Sequence, residues 1–205
     1  MDCTNTTSRP NNHKARRAGM TLIEMLIAIG ISGIVFAAVG MMIFFSGRSY
    51  AALANYVDLD NKSRKALDLI SKEIRQVDGV VSIGTTNLTS GQLVTNQIVF
   101  SGKETNGAAY TTTYTYSPTA ANKPLTRNKQ GGLYPGTTTL LTGCTYLNFG
   151  MYTRVPMDGS MDNFAATDVA TCKVVQIDWV CSRGIFNQSD NTESVQSAKV
   201  VIRKK

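Results

Sequence analysis

Glu24 is the residue whose position asks for a chemical explanation. It is the only ionisable side chain between Met20 and Phe45, a run of 26 mostly apolar residues. Insertion scales charge an Asp, Lys or Arg at the middle of a membrane helix roughly 2.5 to 3.5 kcal/mol. A carboxylate kept in such a run is therefore a functional candidate by default, and the chemistry open to it is pairing with a cation in the same apolar surroundings.

Other reactive residues are few. The only histidine, His13, lies upstream of that run, so no Ser-His or Cys-His constellation can form beyond it. No Walker loop, dinucleotide fingerprint or nucleophile elbow occurs. The chain reads as a non-enzyme without a cofactor. Its cysteines are Cys3, Cys144, Cys172 and Cys181, with no C-x-x-C and therefore no zinc-ligand spacing. Oxygen ligands for calcium gather at Asp158-Gly159-Ser160-Met161-Asp162-Asn163, with Asp168 nearby, but the EF-hand order is missing and the loop reads as a solvated acidic one. Tyr110, Tyr114 and Tyr116 could form a binding platform; alternation with threonine reads better as one face of an ordinary strand.

The apolar run is too long for the roughly 7–15 residues of a conventional secretory signal and long enough to span a bilayer. Lys14, Arg16 and Arg17 precede it, and by the positive-inside rule they stay cytoplasmic, with the bulk of the chain outside the inner membrane. Up to Gly19 there are four basic residues (Arg9 is the fourth) against Asp2, a net +3 of the total +7. The basic balance is thus partly a targeting feature, and direct binding of nucleic acid is not expected. The tail Arg203-Lys204-Lys205 reads as a solvated chain end.

Helical rhythm continues beyond Phe45. Leu53, Tyr56, Val57, Leu59, Leu67, Ile70, Ile74 and Val77 form an apolar stripe, and no proline interrupts Met20 to Val77. One helix is expected there, its first half in lipid or a filament core and its second half against a globular domain. Asp78-Gly79 ends it. Strands are expected at Gln97–Phe100, Tyr110–Tyr116, Lys123–Asn128, Leu140–Tyr152, Lys173–Cys181 and Lys199–Arg203. The fold class is α+β: a long N-terminal helix, transmembrane in its first half, packed on a C-terminal antiparallel sheet domain.

Gly19-Met20-Thr21-Leu22-Ile23-Glu24 resembles the signal of type IV pilins and type II secretion pseudopilins: a basic leader ending in glycine, then an apolar helix whose fifth residue is glutamate. The family usually begins its mature chain with phenylalanine, where this chain has Met20. The resemblance implies a leader at 1–19, a membrane or filament-core helix at 20–45, an amphipathic half at 46–78 and a β domain at 79–205. It also implies cleavage after Gly19 by a prepilin peptidase and methylation of the Met20 amine. Cleavage converts an uncharged amide into an amine, largely cationic at neutral pH. In this family the glutamate, here Glu24, meets the N-terminal amine of a neighbouring subunit during assembly. A simpler reading lets Glu24 reach the cytoplasmic headgroups.

Expected partners are the peptidase, other pilins or pseudopilins and the inner-membrane assembly platform. The succession of elements is similar to that of the larger minor members, the J pseudopilins and W pilins. It implies a minor pilin or pseudopilin that primes or caps a filament tip. The alternatives are an adhesive or DNA-uptake minor pilin, or a bitopic membrane protein with a periplasmic binding domain.

Removal of the leader would leave three cysteines in an oxidising compartment. Cys172 and Cys181 bracket one expected strand and would lie about 30 Å apart, beyond disulfide reach. If the strands at 144–152 and 173–181 pair in simple register, facing residue numbers sum to 325 and Cys144 faces Cys181. A Cys144–Cys181 disulfide is the hypothesis that register offers, one that a register error or a bulge would undo, with Cys144–Cys172 as the competing arrangement.

Overall fold

The computed structural model describes residues 19–88, 91–153, 164–184 and 193–203. The expected leader up to residue 18, the acidic loop 158–163 and the last two lysines of the tail lie outside the described residues. The chain divides into two compact units between Gly47 and Arg48.

One helix, α1 (Leu22–Gln76), contributes to both. Its first half carries the apolar run with its side chains exposed, and it contains a stretch long and apolar enough to cross a membrane. In the second unit the helix buries Leu59, Ser63, Ala66, Ile70 and Ile74, spaced by three or four residues. The stripe read from the sequence is corrected at its start, because Leu53, Tyr56 and Val57 remain about half exposed. Burial begins where the sheets cover the helix, and there two small residues, Ser63 and Ala66, sit on the buried face. Hydrophobicity alone could not mark them.

Nine strands follow among the described residues. A meander of β1 (Gly79–Asn87), β2 (Leu93–Lys103), β3 (Ala109–Tyr116), β4 (Leu125–Gly131) and β5 (Gly136–Leu141) forms a five-stranded antiparallel sheet in sequence order. The second sheet has β6 (Cys144–Thr153), β7 (Phe164–Ala165), β8 (Val174–Ser182) and β9 (Glu193–Val201), ordered β7-β6-β8-β9. The α+β expectation holds: the helix packs against antiparallel sheets.

Several strand expectations need correction. The segment Leu140–Tyr152 is two strands in different sheets, because Thr142-Gly143 turns the chain from one to the other. Gly143 has φ +76°, and a Cβ there would lie 2.6 Å from the Ser182 carbonyl oxygen, so only glycine fits. The strand expected at Lys199–Arg203 is the end of the longer β9, and Gln97–Phe100 is the middle of β2. β1 went unread. Its Val81 and Ile83 point outward at 50% and 40% exposure, so it lacks the alternation that marks a half-buried strand.

The core gathers the inner faces of both sheets onto α1. Trp179, Tyr114, Tyr116, Phe100, Ile177 and Leu147 are all fully buried or nearly so. Thr95 N–H of β2 donates to Asn148 Oδ1 of β6 at 2.9 Å, and Tyr116 Oη donates to the Cys144 carbonyl at 2.9 Å, tying the sheets together. The tyrosines of β3 therefore serve the core: Tyr114 and Tyr116 have no exposed surface, which rules out a three-tyrosine platform.

A charged cluster also joins α1 to the first sheet. Arg127 on β4 donates from Nε and Nη2 to the two carboxylate oxygens of Glu73 on α1, at 2.9 and 2.5 Å, and Tyr114 Oη donates to the same carboxylate. Arg127 and Glu73 are 15% and 23% exposed. The hydrogen bonds that Arg127 donates to Glu73 hold its guanidinium above its ordinary pKa, while burial and then the Glu73 charge push the Tyr114 phenol up. Removing one member strands the others. Glu73→Ala is expected to cost about 2–3 kcal/mol, below the ~3–5 kcal/mol of a fully buried pair because water reaches the site. Urea unfolding of Glu73→Ala, Arg127→Ala and the double variant measures this; additive losses would show that the two residues are not coupled.

Candidate assembly site

The site begins where the helix starts. Thr21 precedes the first helical residue, Leu22, and Glu24 is its third. Four backbone N–H groups at a helix start lack partners within the helix. Here the Glu24 N–H donates to Thr21 Oγ1 at 3.3 Å, while Thr21 N–H and Oγ1 donate to Glu24 Oε2 at 2.8 and 3.1 Å. This is a reciprocal capping box. It went unnoticed in the sequence, although the spacing Thr21-x-x-Glu24 before an apolar run is its usual signature. Both bonds to the carboxylate fall on Oε2. Oε1 accepts nothing among the described residues.

The surroundings of the box are apolar and open. Met20 is 68% exposed, and the large side chains from Leu22 to Phe45 are all near or above half exposure. Gly19 has no atom close to where a Cβ would stand. A peptidase would find the Gly19–Met20 bond unobstructed by the described residues. The same openness leaves Gly30, Gly33, Gly40 and Gly47 without a neighbour that would require glycine.

In the second unit the structure brings Cys144 and Cys181 together. They face each other across β6 and β8, fully buried, with Sγ atoms 2.8 Å apart. The Ser182 N–H donates to the Gly143 carbonyl at 2.8 Å, which makes Cys144 and Cys181 a non-hydrogen-bonded pair, the kind whose side chains stand closest. From Tyr146↔Val180 to Tyr152↔Val174 the facing numbers sum to 326, one more than the simple register. A bulge between Cys144 and Tyr146 absorbs the difference. It also turns Cys144 inward with Leu147, three residues on, so both enter the core. The contact with Cys181, and then burial, push the Cys144 thiol far above its ordinary pKa. Cys172 is buried elsewhere, its thiol directed at the Val174 carbonyl at 3.6 Å.

Asp168, the remaining member of the calcium reading, accepts from the Ala170 N–H at 3.2 Å and caps a single 3-10 turn, Val169–Thr171. No group of three or more metal-ligating side chains occurs among the described residues.

Residues 14–40 match the family model of the prokaryotic N-terminal methylation motif. The chain carries a prepilin-type signal. The matched segment includes Gly19, Met20 and Glu24 and the first half of the apolar helix. With the helix packed on antiparallel sheets, the chain has a pilin-like fold, and the matched signal is that of the pilin and pseudopilin superfamily. No curated protein and no solved structure matches the chain significantly.

Proposed function

We propose that this protein is a minor pilin or pseudopilin, a structural subunit that is cleaved after Gly19, methylated at the Met20 amine and assembled into a periplasmic or surface filament, where it primes or caps the tip. The observation that carries the reading is the divided use of the Glu24 carboxylate. Oε2 closes the helix start through Thr21, and Oε1 is left open toward apolar surroundings. A second subunit whose new N-terminus is cationic can pair with that oxygen without undoing the cap. The pairing favours one axial register between apolar helices that would otherwise slide. The prepilin peptidase, companion pilins and an inner-membrane platform are the partners this requires. Its precursor is a single-pass inner-membrane protein with the sheet domain outside.

A tip position is supported by bulk. Beyond the helix the described residues build two sheets of five and four strands, a load that a tip carries once and a shaft would repeat at every subunit.

N-terminal sequencing and intact mass of the membrane-purified protein test the processing. The expected chain starts at Met20, with or without one added methyl group. A Gly19→Leu variant is expected to keep its leader, and Gly19→Ala to be cut in part. Normal maturation of Gly19→Leu would overturn the proposed site, and a native chain starting at Met1 in cells with active peptidase would identify a plain bitopic membrane protein.

A further inference from the structure

The cleft beside the last turn of α1 holds more cations than its carboxylates engage. It encloses about 410 Å³, and Arg75 from α1, Lys103 from the end of β2 and Arg203 from beyond β9 all line it. Both carboxylates in its wall are committed. Glu73 holds Arg127 and Tyr114; Glu104 accepts from Lys129 Nζ at 2.6 Å and from the Leu133 N–H at 3.3 Å. The bond from Lys129 keeps the Glu104 carboxyl ionised below its ordinary pKa. Arg75, Lys103 and Arg203 pair with none of the described residues. A second cleft of about 390 Å³ shares Arg75 and Arg203 and adds Lys72 and Asp68, so the cationic surface continues along the helix.

The first cleft has a built floor. The Tyr110 ring lies against Gly102, where an added Cβ would come within 2.6 Å of it, and Lys129 Nζ sits 4.5 Å from the ring centroid. The β4–β5 turn is fastened to the same rim, because Leu133 donates to Glu104 and accepts from Lys129 at 3.1 Å. That turn presents Leu133 at 52% and Tyr134 at 88% exposure. Tyr134 is held at φ +59°, a left-handed conformation that a tyrosine rarely adopts, and such strain concentrates where side chains must be presented. An exposed tyrosine on a turn fastened to the rim of a cleft lined by uncommitted guanidinium groups has the composition of a protein interface hot spot.

We propose that this surface docks an acidic segment of a partner protein. Its carboxylates would seat on Arg75, Lys103 and Arg203, and an apolar side chain beside them would pack on Leu133 and Tyr134. Charge complementarity selects the acidic partner, and a guanidinium fork fits a carboxylate in two parallel hydrogen bonds. The exposed Leu133 and Tyr134 at its rim favour peptide side chains over a nucleic acid backbone. The surface stands on its own residues and does not depend on the Glu24 reading.

Fluorescence anisotropy of the full-length protein in detergent tests this, with a labelled peptide of alternating glutamate and leucine as the probe and a single-stranded oligonucleotide of equal charge as comparator. Saturable peptide binding is expected, weakened by salt. Arg75→Glu and Lys103→Glu should each weaken it by about tenfold or more, as should Tyr134→Ala. Lys65→Glu, on α1 outside both clefts, should leave it unchanged. These side chains are exposed, so unaltered melting curves are expected and separate lost binding from lost folding. The proposal is overturned by absence of saturable binding, by equal weakening in Lys65→Glu, or by tighter binding of the oligonucleotide.

Discussion

Replacing Glu24 with valine should leave cleavage after Gly19 intact and exclude the protein from filaments. The cleaved amine of Met20 would then enter an apolar helix bundle with no carboxylate to meet it. Leaving one member of a buried pair uncompensated costs about 3–5 kcal/mol, which lowers axial association by at least about 100-fold. Valine also removes the capping box seen between Thr21 and Glu24, worth roughly 0.5–2 kcal/mol to the helix start. Glu24→Gln separates the two losses. Glutamine can close a capping box but carries no charge, so the proposed pairing predicts that Glu24→Gln fails nearly as badly as Glu24→Val. Quantitative immunoblots of sheared filaments give the measurement. Incorporation restored by glutamine would assign Glu24 to capping and abolish the pairing role.

The second large effect is expected at the paired cysteines. Freshly isolated protein that has lost residues 1–19, and with them Cys3, should carry when trapped in acid a Cys144–Cys181 disulfide and a single free thiol, Cys172. Its intact mass should be lower than that of the reduced chain by two hydrogen atoms. In forming the bond the two thiols pass two electrons and two protons to a donor disulfide, which leaves as a dithiol. The contact with Cys181, and then burial, keep Cys144 protonated in the folded domain, so the exchange belongs to folding, before the core closes. The bond closes a loop across 37 residue positions, and in the chain-entropy model this is worth about 4 kcal/mol. Cys181→Ala, or reduction, should therefore lower the melting temperature by about 8–16 °C. Cys172→Ala should retain the oxidised mass. Three free thiols in the trapped protein, or loss of the bond in Cys172→Ala, would refute the pairing.

The parts of this protein legible in the sequence are those written in local patterns. Gly19, Met20 and Glu24 stand within six residues, and the apolar run around them fixes the membrane-length helix by composition alone. The alternation of Leu147, Phe149 and Met151, and of Val175, Ile177 and Trp179, marked two inner faces that the structure buries or half-buries. The capping box is written locally too, since Thr21-x-x-Glu24 before an apolar run is its signature.

Other features were beyond local reading because they depend on what a segment is packed against. Whether Leu53 or Ser63 faces the core depends on how far the sheets reach along α1. The break at Gly143 separates two strands that read as one, and its need for glycine comes from the Ser182 carbonyl, far along the chain. The Glu73–Arg127–Tyr114 cluster joins residues 54 and 41 positions apart, with no periodicity to announce it.

The cysteines show the division most clearly. Sequence placed Cys144 opposite Cys181 by assuming a plain register, and the pair is indeed opposite. The register between them is not plain, and the bulge after Cys144 turns both thiols into one core. Strand alternation is a property of the chain and can be counted along it. A bulge arises from how two strands and the layer beneath them fit together, so only the folded structure decided it.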